Sequence, residues 1–546
     1  MKRFFFLLIT VGSFLQSTAQ PSKSLPRPKL VVGLVVDQMR WDYLYRYYDR
    51  YESGGFRRLL NEGFSCENTY INYVPTVTAI GHASIYTGSV PAIHGIAGND
   101  FIIQATGKSM YCTADSTVSA VGSNTEWGKM SPRNLLVSTI TDELKLATNF
   151  RSKTIGISLK DRGAILAAGH LANAAYWLDD KTGDWISSTF YMSELPTWLK
   201  QFNSEKRTAK YLEQDWNTLY PLNTYKQSWE DNSQFESKFK GQETPVFPIK
   251  LASYVAQHGY NLIRYTPFGN TLTLDLAKVI IDKEQMGQRG ETDFLAVSLS
   301  STDYIGHHFS PNAIETEDAY LRLDKDLASF LTYLDKKLGK GSYTLFLSAD
   351  HGGAHNPRFL MEKKMSAGLW PTNQLRTELN QLLEQRFGKK GLVQSFSSYQ
   401  IHFNNPLLHA ENIDMAALKD TCIRFLEQQE GVAMVIDFEN INRRAIPEAL
   451  KIMMANGYNR ARTGSLQILL HPAWYGSSNP KATGTSHGVW NPYDAHIPLI
   501  WLGWGIQKGK SHQQVSITDI APTLASLLHI QVPNGTVGKA IPEVLK

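Results

Sequence analysis

The sequence predicts an α/β fold, a three-layer α/β/α sandwich on a mostly parallel central sheet, with cap insertions. Three observations predict the layered sandwich: five short apolar runs that end in polar residues, an amphipathic helix between two of them, and long stretches that lack this rhythm.

The runs come first. Residues 30–36 end at Asp37, 154–159 at Lys160, 294–299 at Ser300-Ser301-Thr302-Asp303, and 344–347 at Ser348-Ala349-Asp350, while 497–502 follow shortly after His487. Near-continuous apolar runs of this length fit strands buried on both faces of a parallel sheet. Between the third and fourth, Leu323, Leu327, Phe330, Leu331, Leu334 and Leu338 recur at helical spacing, and Gly339-Lys340-Gly341 is a stop. Strand, helix, strand is the right-handed crossover unit of a layered α/β core, in which ligands bind beyond the carboxyl ends of the strands. Residues 165–290 and 355–480 read as cap insertions, with a helix at 406–429.

At 546 residues, 42% hydrophobic and 19% charged, the chain is neither disordered nor fibrous. Lys2 and Arg3 precede an apolar run at 4–15 and then Ser17-Thr18-Ala19, the pattern of a secretory signal peptide over 1–19. That run is shorter than the roughly 20 residues that span a bilayer. Cleavage near Ala19 is therefore expected to leave 20–546 as a single periplasmic or secreted catalytic domain with no stable membrane insertion. Losing Lys2 and Arg3 lowers the formal charge from +5 to 5 − 2 = +3, too mild for nucleic acid as a specific partner. Cys66, Cys112 and Cys422 form no CxxC pair, and a Cys66 to Cys112 disulfide stays open. The oligomeric state is also open, a monomer being favoured.

Asp350-His351-Gly352-Gly353 follows a strand, Asp303 and His307 are one helical turn apart, His487 adds an imidazole and Asp37 a carboxylate. A lone aspartate after a strand usually caps a helix or turn. Here Asp37, Asp303, Asp350 and His351 all fall at strand ends, where separate segments meet, and the donor set suits Zn²⁺. The segment 74–84 carries Thr76 and Thr78 among small residues. A threonine hydroxyl needs a base or a metal to become a nucleophile.

Taken in order, Asp37, Thr78, Asn99, Asp303-x-x-x-His307, Asp350-His351 and His487 resemble the alkaline phosphatase superfamily over most of the chain. Lys160-Asp161-Arg162 resembles the signature of its PafA-type, phosphate-irrepressible alkaline phosphatases. The resemblance implies two Zn²⁺ per chain, one on Asp303, His307 and His487, the other on Asp37, Asp350 and His351 with Thr78 adjoining. It implies that Thr78 is the nucleophile of a covalent phosphothreonine intermediate, with Asn99, Lys160 and Arg162 holding the phosphoryl oxygens of broad small-molecule phosphate monoesters. His82, His94, His308 and His355 are read as structural or supporting.

The nearest alternative is a nucleotide pyrophosphatase or phosphodiesterase on the same fold. Lys160 and Arg162 argue against it, because a diester offers one fewer anionic oxygen. A sulfatase would need Cys or Ser in place of Thr78, and a phosphoglycerate mutase a serine. A non-catalytic surface binding protein would show eroded ligand positions.

Overall fold

The computed structural model describes residues 25–546, so the expected signal peptide lies outside the described residues. An eleven-stranded sheet dominates it. Seven strands position the site: β1 (Leu30–Val36), β2 (Phe64–Tyr70), β3 (Thr154–Ser158), β4 (Ala174–Leu178), β5 (Asp293–Leu299), β6 (Thr344–Ser348) and β7 (Leu499–Gly503). Their order across the sheet is β2, β7, β6, β1, β5, β3, β4. Every residue of β1, β5, β3 and β6 is buried, as the unbroken apolar runs require.

The inner strands β6, β1, β5, β3 and β4 run parallel to their neighbours. The fifth expected strand, β7, runs antiparallel to β6. The sequence could not separate these cases, since a strand covered on both faces reads as the same continuous apolar run in either direction.

Helices α1 (Thr78–Thr87), α2 (Asp161–Ala168), α3 (Ser301–Phe309) and α4 (Ile314–Leu338) carry or flank the polar strand ends. On α4 the leucine and phenylalanine stripe from Leu323 to Leu338 is buried, and Gly339, at φ 101°, ends the helix. The crossover through α3 and α4 leaves β5 and returns at β6, straddling β1.

Within 165–290, β4 and the strand Trp185–Ser188 extend the central sheet. Their aromatic composition had masked a strand rhythm that the burial of all nine residues makes plain. Within 355–480, a separate four-stranded sheet of Val393–Ser395, Gln400–Phe403, Val432–Asp437 and Leu466–Leu470 shares an apolar core with helix Thr372–Phe387. The helix expected at 406–429 is two helices, Asn405–Ala410 and Met415–Glu427. Asn412 at φ 50° breaks the run, and Asp414 caps the second helix by accepting from Ala416 and Ala417 amides. Cys66, Cys112 and Cys422 are all buried free thiols.

Candidate active site

The strand order β6, β1, β5, β3 sets Asp350, Asp37, Asp303 and Lys160 side by side at the carboxyl edge of the sheet. All four are almost wholly buried. Lys160 Nζ donates to Asp37 Oδ2 and to Asp303 Oδ2, each at 2.6 Å. One ammonium thus bridges two of the acids.

Ligand atoms of Asp37, Asp350 and His351 lie within 4.8 Å of one another, and so do those of Asp303, His351 and His487. The second set closes through His351 where the resemblance placed His307. Even so, His307 Nε2 comes to 3.2 Å from Asp303 Oδ1, nearer than His487 Nε2 at 3.7 Å. The structure therefore gathers all six expected donors.

The chemistry of these donors fits a pair of cations. His307 Nδ1 donates to the Thr485 carbonyl at 2.9 Å, His351 Nδ1 to Gly352 at 2.9 Å and His487 Nδ1 to Thr76 at 2.8 Å. With Nδ1 fixed as the donor, each Nε2 keeps a free lone pair, the usual arrangement of a metal-binding imidazole. Asp37 Oδ1 and Asp350 Oδ2 are buried and accept no hydrogen bond. Three carboxylates against one ammonium leave −3 + 1 = −2 on Asp37, Asp303, Asp350 and Lys160, a charge that a dry interior tolerates only when countered.

Electrostatics divide the acids. Burial, and then the neighbouring Asp350, push the Asp37 carboxyl well above its ordinary range. For Asp303 burial acts upward too, but Lys160 and His307 outweigh it and hold the group well below. Burial, followed by His351 and His307, drives the His487 imidazole well down, toward the neutral form that binds metals.

Thr78 opens α1, and its Oγ1 is 3.4 Å from His351 Nε2. Every residue of α1 is buried, and the helix passes so close to β6 that a Cβ on Gly81 would sit 2.5 Å from the Asp350 Cβ. The glycine of the Thr-Ala-Ile-Gly segment thus allows the helix that Thr78 opens to reach the acids. Thr76 turns away, donating to the Val489 carbonyl at 2.8 Å.

Asn99 Oδ1 accepts the Ala79 amide at 2.9 Å, which orients its Nδ2 donors elsewhere. Arg162 donates through NH1 to the Tyr111 hydroxyl at 3.1 Å, and Tyr111 in turn donates to Asp161 Oδ1 at 2.9 Å. Sequence reasoning missed Tyr111 and Gln38. Gln38 donates to both Asp303 and Asp350, and its place directly after Asp37 was the available signal. Of the four histidines set aside, His82 bridges the Thr78 carbonyl and Ser298, while His308 stacks on Phe239. His94 meets Ser84, and His355 meets Asn312.

The family model for type I phosphodiesterase / nucleotide pyrophosphatase matches residues 31–494. The chain belongs to this family. Within it, the chain is 51% identical over 534 residues to alkaline phosphatase PhoV of Synechococcus elongatus, covering 97% of this chain and 96% of that protein. It is 51% identical over 530 residues to alkaline phosphatase PafA of Elizabethkingia meningoseptica, covering 96% of each. A Myroides odoratus protein named calcium-transporting ATPase is 57% identical over 527 residues, again 96% of each. The crystal structure of wild-type alkaline phosphatase PafA matches with a TM-score of 0.93 at 50% identity, covering 96% of this chain and all of that one. This places the chain among the PafA-type members of the alkaline phosphatase superfamily that the motif set resembled. No helix among the described residues is long and apolar enough to cross a membrane.

Proposed function

We propose that the chain is an exported, zinc-dependent alkaline phosphatase that hydrolyses small phosphate monoesters through a phosphothreonine on Thr78. The observation that carries this reading is the row of Asp350, Asp37, Asp303 and Lys160 at adjacent strand ends, with Thr78 facing it from α1. The alkaline phosphatase names of PhoV and PafA support it. The sequence pattern at 1–19 supports export, and 20–546 is read as one catalytic domain whose caps lie within 165–290 and 355–480, β4 and Trp185–Ser188 belonging to the central sheet.

Asp303, His307 and His487 would hold one Zn²⁺, and Asp37, Asp350 and His351 the other. When bound, the pair supplies Lewis acidity that lowers the pKa of the Thr78 hydroxyl and stabilises charge on the departing oxygen. The −2 of the buried acids and Lys160 would become a net positive pocket with two divalent ions held there, suited to a dianionic phosphoryl group.

The remaining work falls to the chain. Thr78 Oγ1, having given up its proton to water, forms a bond to phosphorus as the bond from phosphorus to the leaving oxygen breaks, and that oxygen takes a proton from water to depart as an alcohol. Water then displaces Thr78 and releases phosphate. The Asn99 amide and the Arg162 guanidinium bind the non-bridging oxygens, the guanidinium being able to engage two at once. Lys160 adds positive charge where the acids converge. These cations match the extra anionic oxygen that separates a monoester from a diester.

The name of the Myroides relative favours one further reading, hydrolysis of ATP. The terminal phosphoryl of ATP presents the same kind of exposed anionic group as a monoester, so the site as described would accept it.

Measuring kcat/KM on a matched aryl phosphate monoester, diester and sulfate ester, with ATP alongside, tests the assignment. The monoester should lead the diester and sulfate by orders of magnitude, and a diester preference would overturn it.

A further inference from the structure

Gln38 adopts φ 62°, a left-handed conformation that glycine enters freely and a longer side chain enters at a cost. Its side chain is nevertheless drawn inward, and the residue is only 5% exposed. Strain of this kind persists where surrounding structure enforces it, and it gathers at functional sites.

The contacts show what the strain secures. Nε2 donates to Asp303 Oδ1 at 2.7 Å, and the backbone amide donates to Asp350 Oδ1 at 3.2 Å. Asp37 is the preceding residue. One residue therefore touches or adjoins all three buried acids, from both sets of donors. Its surroundings are shaped to admit it: a Cβ on Gly306 would stand 2.0 Å from Gln38 Oε1, and one on Gly353 would stand 3.2 Å from it.

We propose that Gln38 is a positioning residue of the metal centre, its carboxamide setting the orientation of Asp303. The inference rests on the reading of these acids as zinc ligands. Asp303 receives Lys160 on Oδ2 at 2.6 Å and Gln38 on Oδ1 at 2.7 Å, so a donor on each oxygen locks the rotation of the carboxylate plane. Oδ1 then faces His307 Nε2 and His487 Nε2 at 3.2 and 3.7 Å. Without Gln38, only Lys160 among side chains would fix the plane. A neutral amide does this without adding a positive charge beside a cation.

Asp350 depends on Gln38 in another way. The Gln38 amide and the His351 amide both donate to Asp350 Oδ1, at 3.2 and 3.0 Å, and this leaves Oδ2 without a hydrogen bond. That contact comes from the backbone and survives any side chain at position 38. The two roles can therefore be separated by substitution.

Gln38→Gly keeps the left-handed backbone and its amide, relaxes the strain and deletes only the donor to Asp303. Gln38→Glu keeps the shape and sets a carboxylate against Asp303. Zinc content and its release to a competing chelator are measured on the parent and both variants, with thermal unfolding of the zinc-free proteins alongside. A parent that holds fewer than two zinc ions would refute the metal reading itself, whatever Gln38 does. Given two, each variant should release one ion at least about 10-fold more readily and hold the other as the parent does. The zinc-free Gln38→Gly protein should still melt in one cooperative transition, below the zinc-free parent because Asp303 Oδ1 loses its donor. Release unchanged for both ions, or weakened equally for both, would overturn the proposal. If the glycine variant does not accumulate as folded protein, the Gln38→Glu release profile decides alone.

Discussion

Thr78 Oγ1 stands 3.4 Å from His351 Nε2, although 273 positions separate the two residues in the chain. The contact brings the proposed nucleophile against the one imidazole common to both groups of candidate ligands. Thr78→Ala should lower monoester turnover by several orders of magnitude, since it removes the hydroxyl proposed to bond to phosphorus. It should leave thermal unfolding of the zinc-loaded protein nearly unchanged. Turnover within a factor of a few of the parent would remove Thr78 from the role.

The Lys160 and Arg162 cations are the proposed source of selectivity. Replacing both by Ala should reduce kcat/KM for a monoester far more than for a matched diester, because the diester has one fewer anionic oxygen to lose. An equal loss on both substrates would contradict the charge argument. For Lys160 the structure adds a second consequence: its removal leaves Asp37 Oδ2 and Asp303 Oδ2 without their shared donor. The zinc-free Lys160→Ala protein should therefore be destabilised in a thermal melt.

Asp37→Asn should reverse sign with metal. In zinc-free protein, burial and the nearby Asp350 oppose the Asp37 charge more than Lys160 supports it. Neutralising it should raise the unfolding temperature in the presence of a chelator. With zinc present the same change removes a ligand, so the stabilisation that the metal confers should shrink. A variant that gains as much stability from zinc as the parent would exclude Asp37 as a ligand.

Asp494 carries a pH dependence away from the acids. It is fully buried, Oδ1 has no partner, and burial raises its pKa from 3.8 to about 8. Between those values the unfolded chain has lost a proton that the folded chain keeps, so stability falls as pH rises from 3.8 through about 8 and then levels off. Asp494→Asn should flatten that decline in unfolding temperature across neutral to mildly alkaline pH. An unchanged slope would show that Asp494 is not its source.

Much of this was legible in the sequence because buried parallel strands leave unbroken apolar runs. The polar residue that ends each run, as Asp37 ends 30–36, is where the chain leaves the sheet. Strand direction was not legible, and β7 turned out antiparallel. β4 was missed because Ala174-Ala175-Tyr176-Trp177-Leu178 ends in no charged site residue and reads like cap sequence. In the site, the six oxygen and nitrogen donors were findable from their types and spacing. Tyr111 was not, because a phenol acts here only through Arg162 and Asp161, distant in sequence, and Gln38 was signalled only by its place directly after Asp37.

Zinc titration of the metal-free enzyme, with bound metal and hydrolysis of an aryl phosphate followed together, shows whether catalysis depends on a filled pair of metal sites. Activity should appear only as zinc loads and reach its plateau at two equivalents per chain. Full monoester hydrolysis by protein holding less than one equivalent of any divalent metal would contradict that dependence.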